Sequence, residues 1–225
     1  MLRPEPVVAL GQCRAVELVG GVAVTPWRGS WLAAQRAAVP VVAEIDELDP
    51  AQHAHQVVVH LGKSREALRA DIATALQVLR LPGRLLLCGG NEVGIASAVK
   101  QVAAGLDQAP AILANRARAR VAAFTLAAAP SWSPPPMATV VTSSGSLRTA
   151  AGVFAADRID AGSALLLERL SDCQEPERVV DLGAGIGVLG LAAARQWPRT
   201  RVHLAEADRR ACRCCRLNAA RWQLT

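Results

Sequence analysis

At 225 residues the chain has room for one large domain or two modest ones, and 52% hydrophobic with 20% charged residues excludes a disordered protein. A formal net charge of +6 is compatible with a nucleic-acid partner without requiring one. No apolar run long enough to span a bilayer escapes a charge or a proline, which excludes a transmembrane helix.

The N-terminus, MLRPEPVVALGQCRAVELV, places Glu5, Arg14 and Glu17 where a signal peptide needs its apolar centre. Six cysteines without an export signal point to a reducing, cytoplasmic setting. Further along, Gln56 to Leu61 reads as a buried strand. Ser64 can then cap a helix over 65–79, whose apolar positions 68, 72, 75, 76 and 79 repeat at helical spacing. Pro82-Gly83 is expected to end that helix before a second strand, Arg84 to Cys88, a turn over Gly89 to Gly94 and a helix from Ile95 to Leu106. Arg116, Arg118 and Arg120 alternate, so in a strand they share one face, which a solvated edge explains as well as an RNA contact does.

The stretch Ala129 to Pro136 has four prolines in seven residues, which no helix or central strand tolerates. It predicts an extended linker over 130–137 between an N-terminal domain, 1–129, and a second domain, 138–225. The second domain opens with a hairpin from Ala138, followed by a helix near Ser163 to Leu170 and a strand Arg178 to Asp181. Then come a glycine turn, a helix to about Gln196, a strand Arg201 to Ala205 and a last helix from Arg209. Arg209, Arg210, Arg213, Arg216 and Arg221 are expected on the exposed face of that last helix.

Val180-Asp181-Leu182-Gly183-Ala184-Gly185-Ile186-Gly187 is the most informative segment. It reads as a strand ending in an acid, a turn with glycine at every second position, and a helix. In open α/β sheets ligands bind beyond the carboxyl ends of strands, and glycines let the backbone turn sharply with no Cβ in the ligand's way. The helix N-terminus offers N–H groups to an anion such as a carboxylate. Asp181 can hold a cationic amine or an ordered water. Glu206, ending the next strand, has the length and charge to accept both hydroxyls of a ribose. A rival parse uses Gly185, Gly187 and Gly190 as G-x-G-x-x-G with Glu206 as the dinucleotide acid. That parse extends the strand through Ala184 and puts Asp181 inside it as a buried charge, which is costly. S-adenosylmethionine is therefore favoured, with an NAD(P)- or FAD-dependent oxidoreductase as the alternative. A non-catalytic RNA-binding or assembly protein is a third reading.

The segment Gly152-Val153-Phe154, Asp160, Gly162-Ser163 and Leu165 to Leu167, followed by VVDLGAGIGVLG, resembles the RsmC-like family of 16S ribosomal RNA guanine-N2 methyltransferases. Members carry a GVFSRDGLDVGSQLLL-like stretch before their cofactor turn; Ala164 stands where Gln is common. The resemblance implies that Asp181, Gly183, Gly185 and Gly187 cradle the methionine part of S-adenosylmethionine, and that Glu206 binds its ribose. It also implies that Asp160 belongs to the cofactor site and that ribosomal RNA or the small ribosomal subunit is the partner. Family members have an N-terminal domain that is a decayed copy of the methyltransferase fold. Gly62 to Ala67 and Gly90 to Ile95 look like its landmarks. Laying RLLLCGGNEVGIASA on RVVDLGAGIGVLGLA puts Gly89 under Gly183, Leu87 under Asp181 and Asn91 under Gly185.

The family's catalytic Asn-Pro-Pro-Phe loop is absent from the sequence, and 38 residues follow Gly187. No catalytic residue is therefore assigned. The expected fold is α/β: two tandem Rossmann-like units, the first degenerate, the second truncated after its second strand and helix, binding cofactor weakly and without turnover. A monomer with no metal is expected. Gly62-Lys63-Ser64 lacks the earlier glycine of a phosphate loop, with Val at 57. Cys212, Cys214 and Cys215 lack a metal-ligand partner, and His53, His55 and His60 read as surface or strand residues.

Overall fold

The computed structural model describes residues 5–12, 14–154 and 158–224. The chain divides into two compact units, Met1–Pro135 and Pro136–Thr225. Ala155 to Asp157, within the stretch that carries the family resemblance, and Cys13 lie outside the described residues.

The first unit runs β1 (Val7–Leu10), α1 (Arg14–Val19), β2 (Gly21–Val24), α2 (Arg28–Arg36), β3 (Val41–Val42), β4 (Ala54–His60), α3 (Arg65–Val78), β5 (Leu79–Gly90), α4 (Ile95–Leu106), β6 (Ala111–Arg116) and β7 (Ala119–Leu126). Its strands form one seven-stranded sheet in the order β3-β2-β1-β4-β5-β7-β6. All pairings are parallel except those of β7, which is antiparallel to both β5 and β6.

Continuous apolar runs suit central strands covered on both faces. Val57, Val59, Leu85 and Leu87 face Leu68 and Ile72 of α3 and Ile95, Val99 and Val102 of α4. Val58 and Leu86 point the other way, onto Ala15 and Val16 of α1 and Ala34 of α2. Ser64 caps α3, its Oγ accepting the Ala67 N–H at 3.1 Å.

Two sequence expectations change. Pro82-Gly83 does not separate helix from strand: β5 starts at Leu79. Pro82, with no N–H to give, sits in the irregularity between the Ala54–Leu79 and Gln56–Arg84 pairs. Arg116, Arg118 and Arg120 do not share a strand face, because Ala117 and Arg118 form the turn of the β6–β7 hairpin, with φ of 52° and 58°. The proline-rich stretch touches the first unit. Trp132 Nε1 donates to the Arg69 carbonyl at 3.0 Å, and its ring packs on Gly105 of α4.

The second unit comprises β8 (Ala138–Thr142), β9 (Gly145–Thr149), α5 (Ala161–Leu170), β10 (Arg178–Leu182), α6 (Val188–Gln196), β11 (Arg201–Ala205) and α7 (Arg209–Arg221). β8 and β9 are an antiparallel hairpin; β10 and β11 pair in parallel, with Asp181 opposite Leu204. Val140, Leu147, Val153, Ile186, Leu191, Ala211 and Cys214 form its core. Among the described residues β10 pairs with β11 alone, and Val180 and Leu182 are 61% and 79% exposed.

Strand pairing distinguishes β10 from the β5 segment. β10 pairs in parallel with the next strand, as β1 does with β2, whereas β5 lies between β4 and antiparallel β7. Val7-Val8-Ala9-Leu10-Gly11 is thus paired as Val179-Val180-Asp181-Leu182-Gly183 is, and the β5 segment is not. The Gly11 N–H donates to the Val24 carbonyl at 2.9 Å, as the Gly183 N–H donates to that of Ala205 at 2.8 Å. In this register Ala9 stands at the place of Asp181 and Thr25 at that of Glu206.

Candidate cofactor site

β10 ends at Leu182, so the backbone leaves the sheet one residue after Asp181. Gly183, Gly185 and Gly187 all take left-handed conformations, with φ of 76°, 56° and 93°, and Gly187 directly precedes α6. This is why three alternate positions carry no Cβ. Their surroundings differ. A Cβ at Gly183 or Gly185 would meet nothing within 4 Å, so the turn has open space above it at those two positions. A Cβ at Gly187 would fall 2.6 Å from Leu191 Cδ1 and 2.8 Å from Cys215 Sγ.

The acids close the turn from two sides. Glu206, just past β11, accepts the Gly185 N–H on Oε2 at 2.8 Å. Its Oε1 takes the N–H groups of Ala207 and Asp208, at 2.6 and 2.8 Å. Asp181 Oδ2 accepts the N–H of Gly190, in the first turn of α6, at 2.9 Å. Gly190 permits that contact, since a Cβ there would stand 3.0 Å from Asp181 Oδ2 and 2.6 Å from Leu204 Cδ2. Two of the N–H groups expected to await an anion are thus held by the protein's own carboxylates. Burial pushes the half-buried Asp181 carboxyl above its ordinary range; the Gly190 N–H opposes this and the Glu206 charge adds to it.

Asp160 caps α5, its Oδ1 accepting the N–H groups of Gly162 and Ser163 at 3.0 and 3.2 Å. Hydrogen bonds from Ser163 and Gly162 hold its carboxyl below the usual range. Arg209, Arg213, Arg216 and Arg221 are exposed on α7. Arg210 instead folds onto buried Asp208, with Nε and Nη2 each 3.2 Å from a carboxylate oxygen.

Sequence reasoning missed Asn218. Fully buried in α7, it donates from Nδ2 to the carbonyls of Ile186 and Arg148, both at 3.0 Å, and accepts the Arg148 N–H at 2.7 Å. One side chain thereby fastens the glycine turn and β9 to the last helix. An Asn on the buried Ala211–Cys214 stripe was the available signal. His60 also has a partner that spacing did not reveal: its Nδ1 lies 3.2 Å from Cys88 Sγ across β4 and β5. Burial lowers the His60 pKa and pushes the Cys88 thiol up to about 12, so the pair is neutral. Among the described residues no group of three or more His, Cys, Asp or Glu could hold a metal ion. Nor is any described helix long and apolar enough to cross a membrane.

The chain is similar to known proteins. Residues 144–225 match the methyltransferase small domain family. Over 206 residues the chain is 35% identical to the ribosomal RNA small subunit methyltransferase C of Pseudomonas paraeruginosa, covering 85% of this chain and 59% of that protein. Over 183 residues it is 34% identical to that of Ectopseudomonas mendocina, covering 73% of the chain and 50% of the relative. The chain thus spans between half and three fifths of the length of these relatives. Among solved structures, the T. thermophilus 16S ribosomal RNA guanine-N2 methyltransferase, in complex with AdoMet and guanosine, superposes with a TM-score of 0.80 at 23% identity. That match covers 100% of this chain and 65% of that one. By these matches residues 144–225 form a methyltransferase small domain, and the chain is similar over most of its length to the ribosomal RNA small subunit methyltransferase C family.

Proposed function

We propose that the chain is the cofactor-binding part of an S-adenosylmethionine-dependent methyltransferase that modifies the exocyclic N2 of a guanine in 16S ribosomal RNA, in the cytoplasm. The observation that carries this reading is the pair of strand-end carboxylates, Asp181 and Glu206, flanking a glycine turn that is open above Gly183 and Gly185. The relatives carry the substrate part: those at 35% and 34% identity are ribosomal RNA methyltransferases.

The residues present fit that cofactor. S-adenosylmethionine supplies an electrophilic methyl group and carries a cationic amine, a carboxylate and a ribose. Asp181, ionised, attracts the amine. Glu206, presented at the end of β11, accepts the ribose hydroxyls. The absence of Cβ atoms at Gly183 and Gly185 lets the backbone approach closely. Methyl transfer to an amine depends mainly on placement, so the task of these residues is to bind and orient. The first unit, with Ala9 and Thr25 in place of the two acids, is proposed to hold no cofactor.

A chromosomal Glu206→Ala substitution tests the whole reading. Mass spectrometry of the 16S ribosomal RNA should show loss of one N2-methylguanosine. An unchanged set of methylated guanines would count against it.

A further inference from the structure

The tip of the β6–β7 hairpin carries a feature that fold stability does not explain. Two-residue hairpin turns with both φ values positive are relaxed with Asn-Gly or Asp-Gly. Here Ala117 and Arg118 occupy them, each forcing a Cβ into the left-handed region. A strained tip retained with a cation on it is a reason to look for function.

The cations around this tip are arranged and unspent. Arg116 pairs with Ala119 and Asn115 with Arg120, so Arg116 and Arg120 lie on opposite faces of the ribbon, with Arg118 at its end. Arg116 and Arg118 are exposed, and neither has an ion-pair partner among the described residues. Arg120 is half-buried, and its Nε is fully buried with no hydrogen-bond partner there. The backbone of the tip is anchored, the Asn91 N–H donating to the Arg118 carbonyl at 2.8 Å. The same sheet edge, beyond the carboxyl ends of β4 and β5, also presents exposed Lys63 and Arg65. The nearby acid Glu92 folds back over Gly90. Glu66 is exposed beside Arg65.

We propose that this hairpin is a finger that grips the phosphate backbone of RNA, with Arg116, Arg118 and Arg120 clasping phosphates from both faces and the tip. Guanidinium groups match phosphate oxygens in paired hydrogen bonds, and a ribbon held by its own ladder presents them with little left to order. The inference rests on the reading that RNA is the substrate and adds which surface of the first unit meets it. The contact is to backbone, so it positions and does not select sequence.

The test uses the full chain and two labelled RNA stem-loops of unrelated sequence, titrated over a salt series. The double variant Arg116→Gln/Arg118→Gln should weaken binding to both alike and reduce the log affinity–log salt slope by about one per arginine removed. Ala117→Asn/Arg118→Gly, which relaxes the turn, should raise the unfolding midpoint and still lose as much RNA affinity as Arg118→Gln. Glu92→Gln should tighten binding. Unchanged affinity and slope in the double Gln variant, or no salt-dependent RNA binding by the unaltered chain, overturns the proposal. S-adenosylhomocysteine binding, measured on the same samples, separates the two failures: its loss in the unaltered chain counts against the methyltransferase reading, not the finger.

Discussion

Glu206 Oε2 accepts the Gly185 N–H at 2.8 Å, so the acid that closes β11 reaches across the sheet end and pins the middle of the glycine turn. The same carboxylate holds Ala207 and Asp208, which lead into α7. Turn, acid and helix entry are therefore one hydrogen-bonded unit. Glu206→Gln keeps the size but removes the charge and half of the acceptors. Charge-assisted hydrogen bonds contribute about 1.5–3 kcal/mol each, so S-adenosylhomocysteine should bind roughly 10- to 100-fold more weakly. Far-ultraviolet circular dichroism of this variant should be unchanged, which separates loss of the ligand from loss of the fold.

Asp181 gives the site an acid limb. Its folded pKa is raised above the ordinary value of 3.8, chiefly by burial. The ionised form is the penalised one, so Asp181 detracts from stability above its folded pKa. That penalty is relieved as pH falls through the folded value towards the unfolded one. Attraction for a cationic amine is lost over the same window. Cofactor affinity followed from about pH 7 to about pH 4 should begin to fall before an ordinary carboxylate would titrate. Asp181→Asn should bind weakly throughout and flatten that limb.

The three turn glycines should respond differently to alanine. Gly187→Ala adds a Cβ 2.6 Å from Leu191 and 2.8 Å from Cys215 at a φ of 93°. Overpacking and backbone strain together should destabilise the second unit by about 2–4 kcal/mol in urea unfolding. Gly183→Ala meets nothing within 4 Å and carries strain alone, about 1–2 kcal/mol, while its methyl group enters the space above the turn. It should leave a folded protein with reduced cofactor affinity.

Asn218→Leu removes three hydrogen bonds and leaves the Ile186 and Arg148 carbonyls and the Arg148 N–H without that partner. Buried unsatisfied groups cost about 1–3 kcal/mol each before relaxation. A loss of at least 2 kcal/mol, read from the fluorescence of nearby Trp222, is expected. A near-neutral result would show that Asn218 does not hold the turn in place.

What was legible in the sequence is what is local. The glycine turn, its flanking strands and the helices Arg65–Val78 and Ile95–Leu106 follow from caps, spacing and apolar period within a dozen residues. The rest depends on pairing between distant segments. The β5 segment and the glycine turn look alike in one dimension, as any strand-turn-helix does; the parallel β1–β2 ladder is what puts Ala9 at the register that Asp181 has on β10. That region resists reading because β1 and β2 have four residues each and α1 only six. The arginine hairpin reads as a single strand in the sequence because its turn lacks the glycine or asparagine that marks one. Asn218 and the Asp181–Gly190 bond became visible only once α6, α7 and β9 were placed.

The turn between Asp181 and Glu206 is proposed as an S-adenosylmethionine cradle. The most direct measurement is isothermal titration of the chain with S-adenosylhomocysteine, NAD and FAD in parallel. Saturable binding of S-adenosylhomocysteine alone, abolished by Asp181→Asn/Glu206→Gln, is the predicted result. Binding of NAD or FAD in its place, or S-adenosylhomocysteine binding that survives the double substitution, would contradict it.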